Sequence, residues 1–219
     1  MISLSSLVPL LGLPPSAELS ASLARALSPE AKAANIPEIK TYPDATYHNY
    51  YALGVSLCFR PASPSILVLD SIDIFNPPSP SPSSSSSTTS RSKPTYAPPP
   101  PLLLPFADPE VVLPPRKGEG EVRYPRPDLV VVRETTGREV VRALGEPSRK
   151  GAGGWVGVWL EWVVALRMGE GRVEVGVMLE LSDPKSDGEE AKAKGVGGVW
   201  DRAAGWPWAS IKVFRPTKK

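Results

Sequence analysis

Histidine occurs once in 219 residues and cysteine once, and each scarcity removes a body of chemistry. With His48 as the lone imidazole, Ser-His-Asp and Cys-His nucleophilic sites and multi-histidine metal sites are excluded. With Cys58 as the lone thiol, a disulfide framework and a cysteine zinc site are excluded as well. Cys58 lies in the apolar run LGVSLCF, where a thiol acts as a small hydrophobe and agrees with a reducing compartment. A charge excess is also lacking: 25 Lys and Arg against 23 Asp and Glu leave +2, too little to draw nucleic acid or acidic lipid to the whole surface. No apolar stretch reaches the roughly 18 residues that cross a bilayer, because Pro, Gly or charge cuts each candidate. The opening MISLSSLVPLLGLPPSA lacks the basic start of a secretory leader and is interrupted by Pro9 and Pro14. The expectation is a helix of the fold, with cytoplasmic or nuclear residence rather than secretion.

Proline, by contrast, is abundant at 27 residues. Residues 76–105 are dominated by Pro and Ser without helical or strand period, which predicts that burial there cannot offset the entropy of ordering. The chain therefore divides into a first module, 1–76, a disordered insertion, 77–105, and a second module, 106–219, the two modules forming one folded domain. Ser79 and Ser81 each precede a proline and are candidate phosphorylation positions. Residues 113–127 are expected to run irregularly over the surface, and 182–198 to form a polar, glycine-rich loop.

Short motifs recur in the same order on either side of the Ser/Pro tract. LVPLLGLP at 7–14 matches VVRALGEP at 140–147, each an apolar helical face stopped by Leu-Gly-x-Pro. YHNY at 47–50 matches WLEW at 159–162; its aromatic ends are three apart, which strict alternation places on opposite faces of a strand. GVSLCF at 54–59 matches GVMLEL at 176–181, both alternating like half-buried strands. SIDIF at 71–75 matches SIKVF at 210–214, with Asp73 and Lys212 expected in solvent. Together these pairs predict an internal repeat. The capping box Thr136-Gly-Arg-Glu139 starts a helix over 137–144 with Val140, Val141 and Leu144 inward. A second helix is expected from 17 to about 34, with Leu19, Leu23 and Leu27 as its apolar stripe.

The order capped helix, V-V-x-x-L-G-x-P, loop, aromatic strand, apolar strand resembles the small helix-plus-sheet repeats of the SmpA/OmlA lipoprotein and β-lactamase-inhibitor-protein type. The second half is also similar to uncharacterised fungal proteins carrying segments like TTGREVVRALGEPSRKG, VWLEW and DRAAGWPWASIKVFRP. The first of these resemblances implies a protein-binding scaffold. The lipoprotein family's signal peptide and lipid-bearing cysteine have no counterpart, since Cys58 sits in a predicted strand.

Candidate sites are few. RKGAGG at 149–154 follows a helix and precedes a strand, the reverse of a phosphate-cradling loop, so it reads as a connection whose Arg149 and Lys150 complement a helix C-terminus. The lone His48, between aromatics, reads as structural. Asp70, Asp73, Glu161 and Glu180 are the carboxylates considered for an acid/base pair across neighbouring strands, but Asp73 and Glu180 read as outward and nothing in the sequence pairs the others. All six tryptophans lie in the second half. Trp159 and Trp162 are assigned to the core, while Trp155, Trp206 and Trp208, with Arg149 and Lys150, are candidate partner or ligand contacts.

The expectation is an α+β domain whose mostly antiparallel sheet comes from two helix-then-strands modules with helices on one face. It has no catalytic residue, metal site or cofactor and contacts an unknown protein partner, neither nucleic acid nor a membrane span entering the reading. The rival readings are a small-molecule or lipid binder with a tryptophan-lined pocket and, third, a hydrolase.

Overall fold

Segments such as VSLCF and VWLEW place an apolar side chain at every second residue, so each must bury one face of a strand. A computed structural model describes residues 1–27, 36–78, 94–113, 120–152, 157–182 and 199–216. In chain order its elements are β1 (Ile2–Ser3), α1 (Leu4–Leu7), α2 (Ala17–Leu27), β2 (Glu38–Thr41), β3 (Thr46–Tyr50), β4 (Val55–Ser63), β5 (Ile66–Phe75), β6 (Leu102–Leu104), β7 (Glu110–Leu113), β8 (Val122–Pro125), β9 (Leu129–Val131), α3 (Gly137–Leu144), β10 (Arg149–Ala152), β11 (Val158–Met168), β12 (Gly171–Leu181), α4 (Val199–Ala203) and β13 (Trp208–Phe214). Eight of the strands form one sheet in the order β10-β11-β12-β13-β5-β4-β3-β2, and every pairing in it is antiparallel.

The fold class is mostly β, with 48% strand against 20% helix, and not the expected α+β assembly of helix-then-strands modules. Helix signals were conspicuous in the sequence because caps and Leu-Gly-x-Pro stops are local. The helices they mark are short: α1 has four residues and α3 eight.

Strand registers show how the paired motifs lie. β5 and β13 meet at the centre of the sheet with Asp73 opposite Lys212, Ser71 opposite Phe214 and Phe75 opposite Ser210. An approximate two-fold axis therefore passes through the Asp73–Lys212 rung. Moving outward, Val55 faces Ile74 as Val177 faces Val213, and Tyr47 faces Cys58 as Trp159 faces Glu180. At the two edges Glu38 faces Asn49 as Arg149 faces Glu161. The strand motifs thus occupy equivalent rungs, while α2 has no equivalent of its length among the described residues of the second half.

One face of the sheet packs against the helices and a small sheet of order β1-β6-β9. Ile72, Ile74, Ile211 and Val213 from the central strands join Leu4, Leu7, Leu23, Val140 and Leu144 in one buried cluster. The large apolar area removed from water here is the main stabilising term. α2 buries Leu19, Leu23 and Leu27 as its stripe predicted, and its expected continuation over 28–34 falls outside the described residues. α3 spans the expected residues, with the Thr136 backbone N–H donating to Glu139 Oε2 at 2.7 Å. No helix among the described residues is long and apolar enough to cross a membrane.

The boundary of the insertion needs correction. Residues 94–105 are not structureless: Leu102 and Leu104 are buried, and β6 pairs parallel with β1 and antiparallel with β9. Likewise 113–127 is not wholly irregular, because β7 and β8 form an antiparallel pair. Ser79 and Ser81, and residues 183–198 of the expected loop, lie outside the described residues.

Candidate functional site

Because side chains alternate, the strands that bury Ile72, Leu57 and Leu179 must present a second set on the other face. That set includes Tyr47 and Asn49 from β3, Ser56 and Cys58 from β4, Asp73 and Phe75 from β5, Lys212 and Phe214 from β13, and Trp159 and Glu161 from β11. No helix among the described residues packs on this side. The face carries aromatic rings, small polar groups and paired charges.

At its centre Lys212 Nζ lies 3.2 Å from Asp73 Oδ1. Asp73 points away from the helices as expected but is not in solvent, being only 8% exposed. Burial holds its carboxyl above the ordinary value against the opposing pull of Lys212. The other carboxylates considered earlier are each engaged: Asp70 with Arg60 at 3.6 Å, Glu161 with Arg149 at 3.3 Å, and Glu180 accepting from Ser210 Oγ at 2.7 Å. Among the described residues no three of His, Cys, Asp and Glu converge as metal ligands.

Beside Asp73, a groove of about 700 Å³ opens on the first half of the face. Tyr47, Asn49, Ser56, Asp73 and Phe75 form its floor and walls, and Tyr96 closes it from above. Burial, chiefly, pushes the Tyr47 and Tyr96 hydroxyls up to about 12, so both remain neutral donors. Tyr51 stands at the rim, donating to Glu38 Oε2 at 2.6 Å and accepting from Lys40 Nζ at 3.3 Å.

The segment bearing Tyr96 comes from the end of the Ser/Pro tract and lies across this half of the face. The Tyr96 ring stacks on Phe75 at 4.0 Å and leans on Tyr51 at 4.7 Å. Its hydroxyl donates to Asn49 Oδ1 at 2.8 Å, an oxygen that also accepts from Ser56 Oγ at 2.8 Å. Ala97 N–H donates to the Tyr51 carbonyl at 2.7 Å. The Ala97 carbonyl rests over Gly54, whose φ of +71° turns the chain from the Tyr51–Leu53 helical turn into β4. At the equivalent place in the second half, no strap among the described residues does this; the Phe214 ring itself lies over Gly176.

The residues singled out from sequence are dispersed. Arg149 sits on the open face at the β10 edge, 5.8 Å above the Trp159 ring. Trp159 is therefore on this face rather than in the core, with its ring laid across Gly151. Trp162 does enter the core, donating to the Gly145 carbonyl at 3.0 Å, so the two ends of WLEW split between the faces. Lys150 projects to the helix side and pairs with Glu146 at 3.0 Å. Trp208 is a core residue, 2% exposed, with its indole donating to the Val132 carbonyl at 2.8 Å. Trp206 packs half-buried against the same core. Neither reaches the open face, and Trp155 lies outside the described residues. His48 is on the helix side against Phe59 at 4.6 Å, and burial lowers its pKa.

Sequence reasoning missed Asn49, Tyr51, Phe75 and Tyr96 as a group. The one available signal was a tyrosine flanked by prolines in a tract otherwise made of Ser and Pro. No family model, curated protein or solved structure matches the chain.

Proposed function

We propose that the protein is a non-enzymatic interaction module that binds a protein partner on the face of the eight-stranded sheet left uncovered by the helices. The observation that carries this reading is the strap: the face already holds an extended peptide segment through ring stacking, a side-chain hydrogen bond and a main-chain hydrogen bond. Extended peptides on sheets and aromatic grooves are recognised by these means. The rest of the face adds anchors of the kind found in interface hot spots, Trp159 beneath Arg149 in particular.

A tryptophan-lined ligand pocket finds less support, because Trp206 and Trp208 face the core and the groove is open and lined by tyrosines and polar groups. Acid/base chemistry finds less still, since Asp70, Asp73, Glu161 and Glu180 are each engaged with a separate partner.

Site-specific photo-cross-linking tests the reading. A benzophenone side chain placed at Tyr47 or Trp159 in the full chain should give protein adducts in the native cell, and the same group at Arg142, exposed on α3, should not. Adducts from Arg142 alone would move the interface to the helix side and end this proposal.

A further inference from the structure

The two halves of the open face have equivalent ladders but are finished differently. In the second half Phe214 folds down over Gly176. In the first half the equivalent Phe75 stays raised against Tyr96, and the space over Gly54 is taken by the Ala97 carbonyl. The first half thus keeps a groove, and one side of it, between Phe75 and Tyr51, is taken by a residue arriving from far along the sequence, Tyr96 following Phe75 by 21 residues.

None of the contacts depends on the strap's being part of the same chain. One ring lies between two rings, one phenol reaches a side-chain amide, and one N–H reaches a carbonyl. Pro94, Pro98 and Pro99 bracket the tyrosine. Proline restricts its own φ and pushes the preceding residue to extended conformations, so such a peptide loses little entropy on binding in either setting. Resting on the open-face reading above, we propose that the groove lined by Asn49, Tyr51 and Phe75 is a binding site for a partner segment bearing a proline-flanked tyrosine, and that residues 94–97 are a tethered competitor occupying it.

The energetics set what should be seen. A tether of about 20 residues presents its end at an effective concentration of about 1 mM, so a free peptide with a Kd of about 100 µM for the open groove would bind the closed protein roughly tenfold more weakly. Removing the tethered tyrosine should recover that factor.

The experiment titrates a fluorescein-labelled peptide, KPTYAPPPP, into the full chain and follows anisotropy. Tyr96→Ala should bind it at least fivefold more tightly than the wild type does. Ala97→Pro, which removes the N–H donated to Tyr51 and leaves the groove intact, should do so to a lesser degree. Adding Phe75→Ala to Tyr96→Ala should abolish binding, as should replacing the peptide's tyrosine by alanine. Circular dichroism melts establish that each variant folds. If the folded Tyr96→Ala and Ala97→Pro proteins bind the peptide no better than the wild type, the strap is a structural closure and the proposal fails. The photo-cross-links from Tyr47 and Trp159 separate the two readings: their survival alongside a silent peptide removes only the peptide chemistry, and their loss removes the face itself.

Discussion

At the scale of single residues, Gly54 and Gly176 occupy equivalent rungs yet answer to different constraints. A Cβ at Gly54 would strike the Ala97 backbone carbonyl, and the φ of +71° is one that L side chains resist. A Cβ at Gly176 would strike the Phe214 ring, which can swing toward solvent. Gly54→Ala should therefore cost about 2–3 kcal/mol in urea unfolding and Gly176→Ala about 1 kcal/mol. Limited proteolysis discriminates further, because Gly54→Ala should expose the 94–101 segment to cleavage while Gly176→Ala leaves it protected. Equal costs at the two positions would show that the strap does not bear on Gly54. Asp73 illustrates why such residues are hard to read in advance. Alternation in SIDIF gives its face correctly, but its burial depends on Lys212 and on neighbours contributed by distant segments.

At the scale of elements, α3 is defined almost wholly by local signals. The Thr136 N–H and hydroxyl both donate to Glu139 Oε2, at 2.7 and 2.8 Å, and these bonds hold the Glu139 carboxyl below its ordinary value of 4.5. A lowered acid pKa means that the ionised group stabilises the fold at neutral pH and that this contribution fades as pH falls through the folded value. Thr136→Ala should cost about 1 kcal/mol at pH 7 by thermal unfolding, and the difference from wild type should shrink by pH 3. A cost that does not change with pH would place the cap elsewhere. Elements of this local kind were legible: α3, the stripe of α2, the alternation of β4, β12 and β13. Those that depend on distant partners were not. LLL at 102–104 becomes β6 only because Ile2 and Val131 flank it in space, and it lies in a tract whose composition signals disorder. Tyr96 is ordered by Phe75, Tyr51 and Asn49, none of which is near it in sequence, so the groove could not be assembled from motifs. The repeat was visible in paired strand motifs, but helix caps drew the fold class toward α+β although most of the described chain is strand and loop.

At the scale of the whole molecule, the approximate two-fold axis divides the ladder without dividing the protein. β5 and β13 are hydrogen-bonded neighbours, and the core cluster runs without a break from Leu57 and Ile72 to Val213 and Leu179. The ends of the chain are interleaved as well. Ser5 Oγ donates to the Arg167 carbonyl at 2.6 Å, placing the first helix on the β11–β12 hairpin, and Arg215 reaches back to the Leu11 carbonyl at 2.6 Å. Asn76, at the exit of β5, donates to the carbonyls of Arg133 and Trp208 at 2.9 and 2.8 Å. Each half therefore leaves apolar surface and hydrogen-bonding groups unsatisfied when the other is removed. Calorimetry of the full chain should give one transition with calorimetric and van't Hoff enthalpies in agreement, and residues 1–105 or 106–219 expressed alone should show no cooperative melt. Two resolved transitions, or a cooperatively melting half, would mean that the central β5–β13 pairing is a docking interface rather than part of one core. A single transition would matter for binding because the open face would then be carried on one rigid sheet. A partner would meet preset positions of Tyr47, Lys212 and Trp159, and the rearrangement required of the protein would be release of the strap.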